Sequence, residues 1–125
     1  GLAERIVLPG FVSNEELERL QAEAAVMVQP SEREGYGMVV VEASARGVPV
    51  VLVAGPDNSA VELVEEGENG FVAAEATPAA LKTAIARALA GGEGLRQSVR
   101  AWYARHAQRL SFAASHAAIC ARLGL

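Results

Sequence analysis

The segment VPVVLVA, residues 48–54, constrains the fold more than any other stretch of the chain. It is β-branched, uncharged and apolar throughout, as a parallel strand covered on both faces would be. Such a strand needs helices above and below it, and the flanking sequence offers them. Ser13 precedes NEELERLQAEA, a helix pattern with Glu15 and Glu16 in its first turn and Leu17, Leu20 and Ala24 as its apolar stripe. Glu16 completes a Ser-x-x-Glu capping pattern with Ser13. RIVL at 5–8, closed by Pro9-Gly10, reads as a short strand and turn. AVMVQPS at 25–31 reads as a buried strand ended by Pro30, and FVA at 71–73 as a last short one. Between them, SAVELVEEGENG at 59–70 reads as a short helix with a Ser cap, stopped at Gly67.

From Thr77 the period becomes helical. Thr77-Pro78 is a cap followed by proline at the first helical position, and Leu81, Ile85, Ala88 and Leu89 supply one apolar face. Gly91-Gly92 breaks that helix, and two more are expected near 94–108 and 111–123. The sequence thus predicts an α/β fold: a Rossmann-like parallel sheet with flanking helices and a helical C-terminal third. With 125 residues there is room for one small domain, divided into strand–helix alternation over 1–76 and C-terminal helices over 77–125.

EGYGMVVVEASARGVPVV, residues 34–51, is harder to read. MVVV has strand propensity, but a strand there would need a hairpin through EASARG, which is poor turn material. The alternative starts a helix near Gly37 or Met38 and ends it at Arg46, with Gly47 in the left-handed position past its end. Valines cost only about a few tenths of a kcal/mol each in a helix, which burial overrides, so the helix is preferred. Glu34-Gly35-Tyr36-Gly37 then becomes a loop between a parallel strand and a helix N-terminus. Unpaired amides and the helix dipole make that a natural phosphate site, and glycines let the backbone approach it closely. Glu42, a turn further into the helix, is placed to accept hydrogen bonds from a diol such as a ribose.

These residues carry a resemblance. Pro30, Ser31, Glu34, Gly35, Gly37, Glu42, Ala43, Gly47, Pro49 and Val50 match the Glu-x7-Glu motif of retaining glycosyltransferases of the family 4 type, with Tyr36 in place of the usual Phe. The strand, loop and helix pattern before the motif, and ELVEEGENGFV after it, resemble the same family over about residues 5–90. The resemblance implies the C-terminal, donor-binding half of a GT-B fold and metal-independent transfer from a nucleotide diphosphate sugar with retention. It assigns Glu34 to donor-sugar positioning, Gly35, Tyr36, Gly37 and Met38 to the donor sugar and its phosphates, and Glu42 to the ribose. Glu62 matches a family glutamate, and it reads equally well as a first-turn helix acid.

The resemblance also implies what is missing. The chain begins at what would be the third strand of the donor half, without the acceptor-binding half or the Gly-Arg and Lys that neutralise the diphosphate; Arg33 and Arg46 do not stand at matching positions. A fragment of this kind should be inactive alone. In the implied strand order 3-2-1-4-5-6, two absent strands would separate 5–8 from 25–29, leaving an edge that a larger protein, self-association or rearrangement must cover.

Other features exclude more than they assign. A net charge of −4 argues against broad nucleic-acid binding, and the longest dense apolar run falls far short of the ~20 residues that span a bilayer. Cys120, alone, reads as a half-buried thiol in a reducing cytosol, which suggests a cytoplasmic protein; a membrane-surface position of the full enzyme is left open. His106 and His116 lack ligand-type partners at metal spacing, and Arg96, Arg100, Arg105 and Arg109 read as a solvated helix face. Phe112, Ile119 and Leu123 suggest a docking face on the last helix, and Trp102 and Tyr103 read as packing. A reading of another class is a non-catalytic α/β module that binds a nucleotide or a partner protein. A third is a degenerate domain whose pocket survives only as packing.

Overall fold

The computed structural model describes residues 1–124. Three parallel strands form the main sheet: β1 (Met27–Gln29), β3 (Val50–Val53) and β5 (Gly70–Ala73), in spatial order β1-β3-β5. A second, two-stranded parallel ladder joins β2 (Arg33–Glu34) to β4 (Asp57–Asn58) beyond the carboxyl ends of β1 and β3. The helices are α1 (Asn14–Glu23), α2 (Met38–Ala45), α3 (Pro78–His106) and α4 (Phe112–Leu123). This is the expected α/β architecture with a helical C-terminal part.

β3 is the buried centre, and all four of its residues are out of solvent. Strand alternation sends Val51 and Val53 to one face, where they meet Phe71, Ala84, Ala88, Leu95 and Val99. Val50 and Leu52 point the other way, onto Val40, Ala43, Val48 and Ala60. So α3 covers one face while α2 and the turn at 59–63 cover the other. Each fully buried valine or leucine contributes about 1.5–3 kcal/mol, which is why β3 needs no polar side at all.

α2 forms despite its valines. It ends at Arg46, and Gly47 follows with φ 71°. A side chain on Gly47 would also meet the Arg100 side chain, whose Nε lies 2.7 Å from an ideal Cβ position and would have to move aside, so the left-handed backbone is the firmer demand for glycine. Thr77 caps α3 as expected, its hydroxyl accepting from the Ala80 amide at 3.3 Å.

Several expectations are corrected. RIVL at 5–8 is not a strand: residues 3–5 form a single 3-10 turn, and Ile6, Val7 and Leu8 are exposed. A strand exists only as part of a ladder, and this segment has no neighbour to pair with among the described residues. The capping box at α1 is half formed. The Ser13 hydroxyl accepts from the Glu16 amide at 3.2 Å, but the Glu16 carboxylate turns away to Arg19, at 2.7 Å. Leu17 and Leu20 stay 46% and 39% exposed, so the α1 stripe is only partly covered. Residues 59–63 make a 3-10 turn rather than an α-helix, and its cap is the side chain of Asn58, not Ser59. The break expected at Gly91-Gly92, by contrast, is present: Gly92 is non-helical at φ 52° and ψ −141°, and α3 is two helical segments joined there across a kink. Arg100, Arg105 and Arg109 are exposed, as a solvated helix face requires, with Arg100 and Arg105 in surface ion pairs, and only Arg96 departs from that reading by being half-buried. Arg96 donates to the Ala24 carbonyl at 2.8 Å, Arg100 to Glu93 at 2.9 Å and Arg105 to Glu68 at 2.5 Å.

Candidate donor site at the carboxyl end of the sheet

The loop Glu34–Gly37 leaves β2 and enters α2 at the carboxyl end of the parallel strands, where α/β sheets take their ligands. Gly37 is the N-cap of α2 with φ 77°, and no side chain caps that end of the helix. A Cβ at Gly37 would sit 2.5 Å from the Ala60 Cβ, so both conformation and packing demand glycine there. Gly35 differs: nothing lies within 4 Å of its ideal Cβ position. The protein itself leaves that space open. Tyr36 and Met38 are 52% and 57% exposed on either side of Gly37.

Asn58 holds the floor of this region. Its side-chain amide donates to the Val53 carbonyl at 2.8 Å and to the Ser31 carbonyl at 3.0 Å, tying the loop after β3 to the loop after β1. Its oxygen accepts from the Ala60 amide at 3.1 Å. Asn58 is therefore a buried structural tie. Arg33 pairs with Asp57 at 3.3 Å, both well exposed, and Arg46 reaches Glu18 at 3.8 Å.

Glu34 and Glu42 do not share one pocket. The Glu34 carboxylate accepts a hydrogen bond from the side-chain amide of Gln29, at the end of β1. Glu42 lies on exposed α2 surface and lines a cavity of about 220 Å³ with Asn14, Leu17, Glu18, Gln21 and Arg46, between α1 and α2. It stands four residues after Met38, hence on the same helix face about 6 Å further along the axis. A ligand seated on the α2 N-terminus could span that distance. Tyr36 lines a different cavity, of about 310 Å³, with Ser59, Glu62, Leu63, Arg109, Leu110 and Ser115. Arg109 and Ser115 escaped the sequence reading as wall residues. The signal was weak, an arginine just before the helix cap at Ser111. Glu62 faces this cavity too, although no contact distinguishes its two readings. No group of three or more potential metal ligands occurs among the described residues.

The family model for glycosyl transferases group 1 matches residues 1–105. The chain belongs to that family. Among relatives of this glycosyltransferase chain, an uncharacterized glycosyltransferase of Methanocaldococcus jannaschii is 32% identical over 89 residues, covering 71% of the chain and 22% of the relative. The GDP-mannose-dependent alpha-(1-6)-phosphatidylinositol monomannoside mannosyltransferase of Mycolicibacterium smegmatis is 38% identical over 97 residues, 72% of the chain and 25% of the relative. The sulfoquinovosyl transferase of Arabidopsis thaliana is 39% identical over 67 residues, 53% of the chain and 13% of the relative. The chain thus spans a quarter or less of each of these glycosyltransferases. No helix among its described residues is long and apolar enough to cross a membrane.

Proposed function

We propose that this chain is the nucleotide-sugar-binding part of a retaining glycosyltransferase with a GT-B fold, and that it forms a partial donor domain within a larger catalytic unit. The observation that carries the proposal is the uncapped α2 N-terminus behind a left-handed Gly37, with open space over Gly35. Amides of Gly35, Tyr36, Gly37 and Met38 take the diphosphate and the sugar, stabilised by the α2 dipole. Glu34 positions the donor sugar and supports the charge that develops at its anomeric carbon. Glu42 accepts from the ribose hydroxyls. In the transfer, the bond from the anomeric carbon to the diphosphate oxygen breaks, and the nucleoside diphosphate leaves with the negative charge. The acceptor hydroxyl oxygen then bonds to the same face of the sugar, and its proton passes to the departing phosphate oxygen. No metal is required in this scheme.

The family assignment and a relative named for GDP-mannose support a nucleotide-sugar donor. Arg33 and Arg46 pair with Asp57 and Glu18, and Arg109 lines the cavity beside Tyr36; the further cations facing the diphosphate are assigned to the rest of the enzyme. An acceptor-binding half and those cations complete the enzyme, and the isolated chain is expected to turn over very slowly. Self-association through the exposed Ile6–Leu8 segment and the open edge of β1 is the expected behaviour of the chain alone. A cytoplasmic location belongs to the same proposal.

Titration of labelled protein with UDP-, GDP- and ADP-linked sugars, followed through amide resonances, tests it. Shifts centred on residues 34–42 and lost in Glu42→Ala are the expected result. The same shifts persisting in that variant would remove Glu42 from the site. A response centred elsewhere in the chain would favour the non-catalytic binding module.

A further inference from the structure

We propose that Gln29 is a positioning residue for Glu34, an inference that rests on the donor-site reading of Glu34. Gln29 closes β1, in register with Leu52 of β3, so its backbone is fixed by the main sheet. Its Nε2 donates to Glu34 Oε2, and no other side chain among the described residues bonds the Glu34 carboxylate. Glu34 itself belongs to a two-residue strand whose partner is only the equally short β4. Without Gln29 its side chain would be free to turn outward into water. The bond therefore ties a carboxylate on a short, weakly paired strand to the main sheet.

The other end of the amide is informative. Gln29 Oε1 is buried and has no hydrogen-bond partner among the described residues. Turning the amide over would set an oxygen acceptor against the carboxylate. Glu34, as an acceptor, fixes the amide in one orientation, and the unpaired oxygen is the consequence. An apolar residue of similar length at this position would carry no such penalty. The buried unpaired oxygen is thus a cost that the bond to Glu34 must offset, which fits a residue placed to aim that carboxylate.

The test uses the intact polypeptide that carries this sequence, labelled at glutamine side-chain amides. One Gln29 NH₂ proton should resonate away from the free-glutamine position, and Glu34→Ala should return it there. Gln29→Met, and Gln29→Leu as a second variant, should melt at the same temperature as the parent or higher. With GDP-mannose and UDP-glucose as donors, each should lower kcat about tenfold or more with KM changed less. In a Glu34→Ala background the same substitutions should add no further loss. An unshifted Gln29 resonance, or a lowered melting temperature with kcat intact, overturns the inference while leaving the donor site standing. If Glu34→Ala leaves transfer unchanged although the resonance responds, the role assigned to Glu34 fails, and that of Gln29 with it.

Discussion

Two glycine-bearing loops in this molecule use similar residues to opposite ends. In the turn Glu65–Gly70, Asn69 is completely buried. Its oxygen accepts from the Glu65 amide at 2.8 Å, and its NH₂ donates to the Leu63 carbonyl at 2.8 Å. Gly67 has φ 79° and donates its amide to the Gly70 carbonyl at 2.9 Å. A Cβ on Gly70 would run into the Val50 carbonyl. This loop closes on itself. The loop Glu34–Gly37 is held only at its two ends, at Glu34 by Gln29 and β4 and at Gly37 against Ala60. Gly35 faces open space, Tyr36 and Met38 project outward, and the α2 terminus has no cap. A polar loop whose groups are satisfied internally is built for stability, whereas one that leaves them free is open to meet something else.

The contrast can be attacked directly. Asn69→Ala should have the largest effect on stability. It strands one buried amide and one carbonyl, and should cost about 3 kcal/mol at the ~1–3 kcal/mol expected for each unsatisfied group. A urea melt measures this, and the folded fraction should keep its response to donor. Gly37→Ala comes next: a left-handed alanine pressed against Ala60 should cost about 2 kcal/mol and displace the α2 amides. Gly35→Ala sharpens the comparison most. Its stability should stay within ~0.5 kcal/mol of the parent, while donor affinity falls on the order of tenfold, equivalent to about 1.4 kcal/mol. A destabilisation as large as that of Gly37→Ala would erase the distinction between the two glycines.

The smallest effect serves as a control far from both loops. On α1, hydrogen bonds from Arg19 at 2.7 and 3.0 Å hold the Glu16 carboxyl below the usual carboxylate range, and Arg19 is in turn held more firmly protonated. A carboxylate whose folded pKa is depressed stabilises the protein above its unfolded pKa. That contribution is lost as the pH falls through the lowered folded value. The pair is exposed, so Glu16→Gln should move the melting temperature only slightly at neutral pH and low salt, and not at all in high salt or strong acid.

Much of the fold is legible because its signals are local. VPVVLVA can only be a strand covered on both faces, and Gly47 marks the end of α2 whatever the valines prefer. Residues 5–8 show where local reading fails. Their apolar character is real, but strand formation depends on a neighbour that propensity cannot supply. Asn58 and Asn69 look like ordinary loop residues, because burial of a polar side chain depends on carbonyls distant in sequence. The candidate site is legible as a motif, from Glu34 to Glu42. Its geometry is not: nothing in the spacing says that Gln29 would reach Glu34, or that Glu42 would face α1 rather than the hollow beside Tyr36.

The bend at Gly92 acts as a phase reset. Each residue added to a continuous helix turns everything after it by about 100°, so the first half of α3 would otherwise dictate where the second half points. One non-helical residue decouples the two. Ala84 and Ala88 are aimed at the sheet from one side of the joint, while Leu95 and Val99 are aimed from the other. Length changes before Gly92 can therefore be absorbed at the joint. A single insertion between Leu95 and Val99 would instead swing Arg100 away from Gly47 and Arg105 away from Glu68.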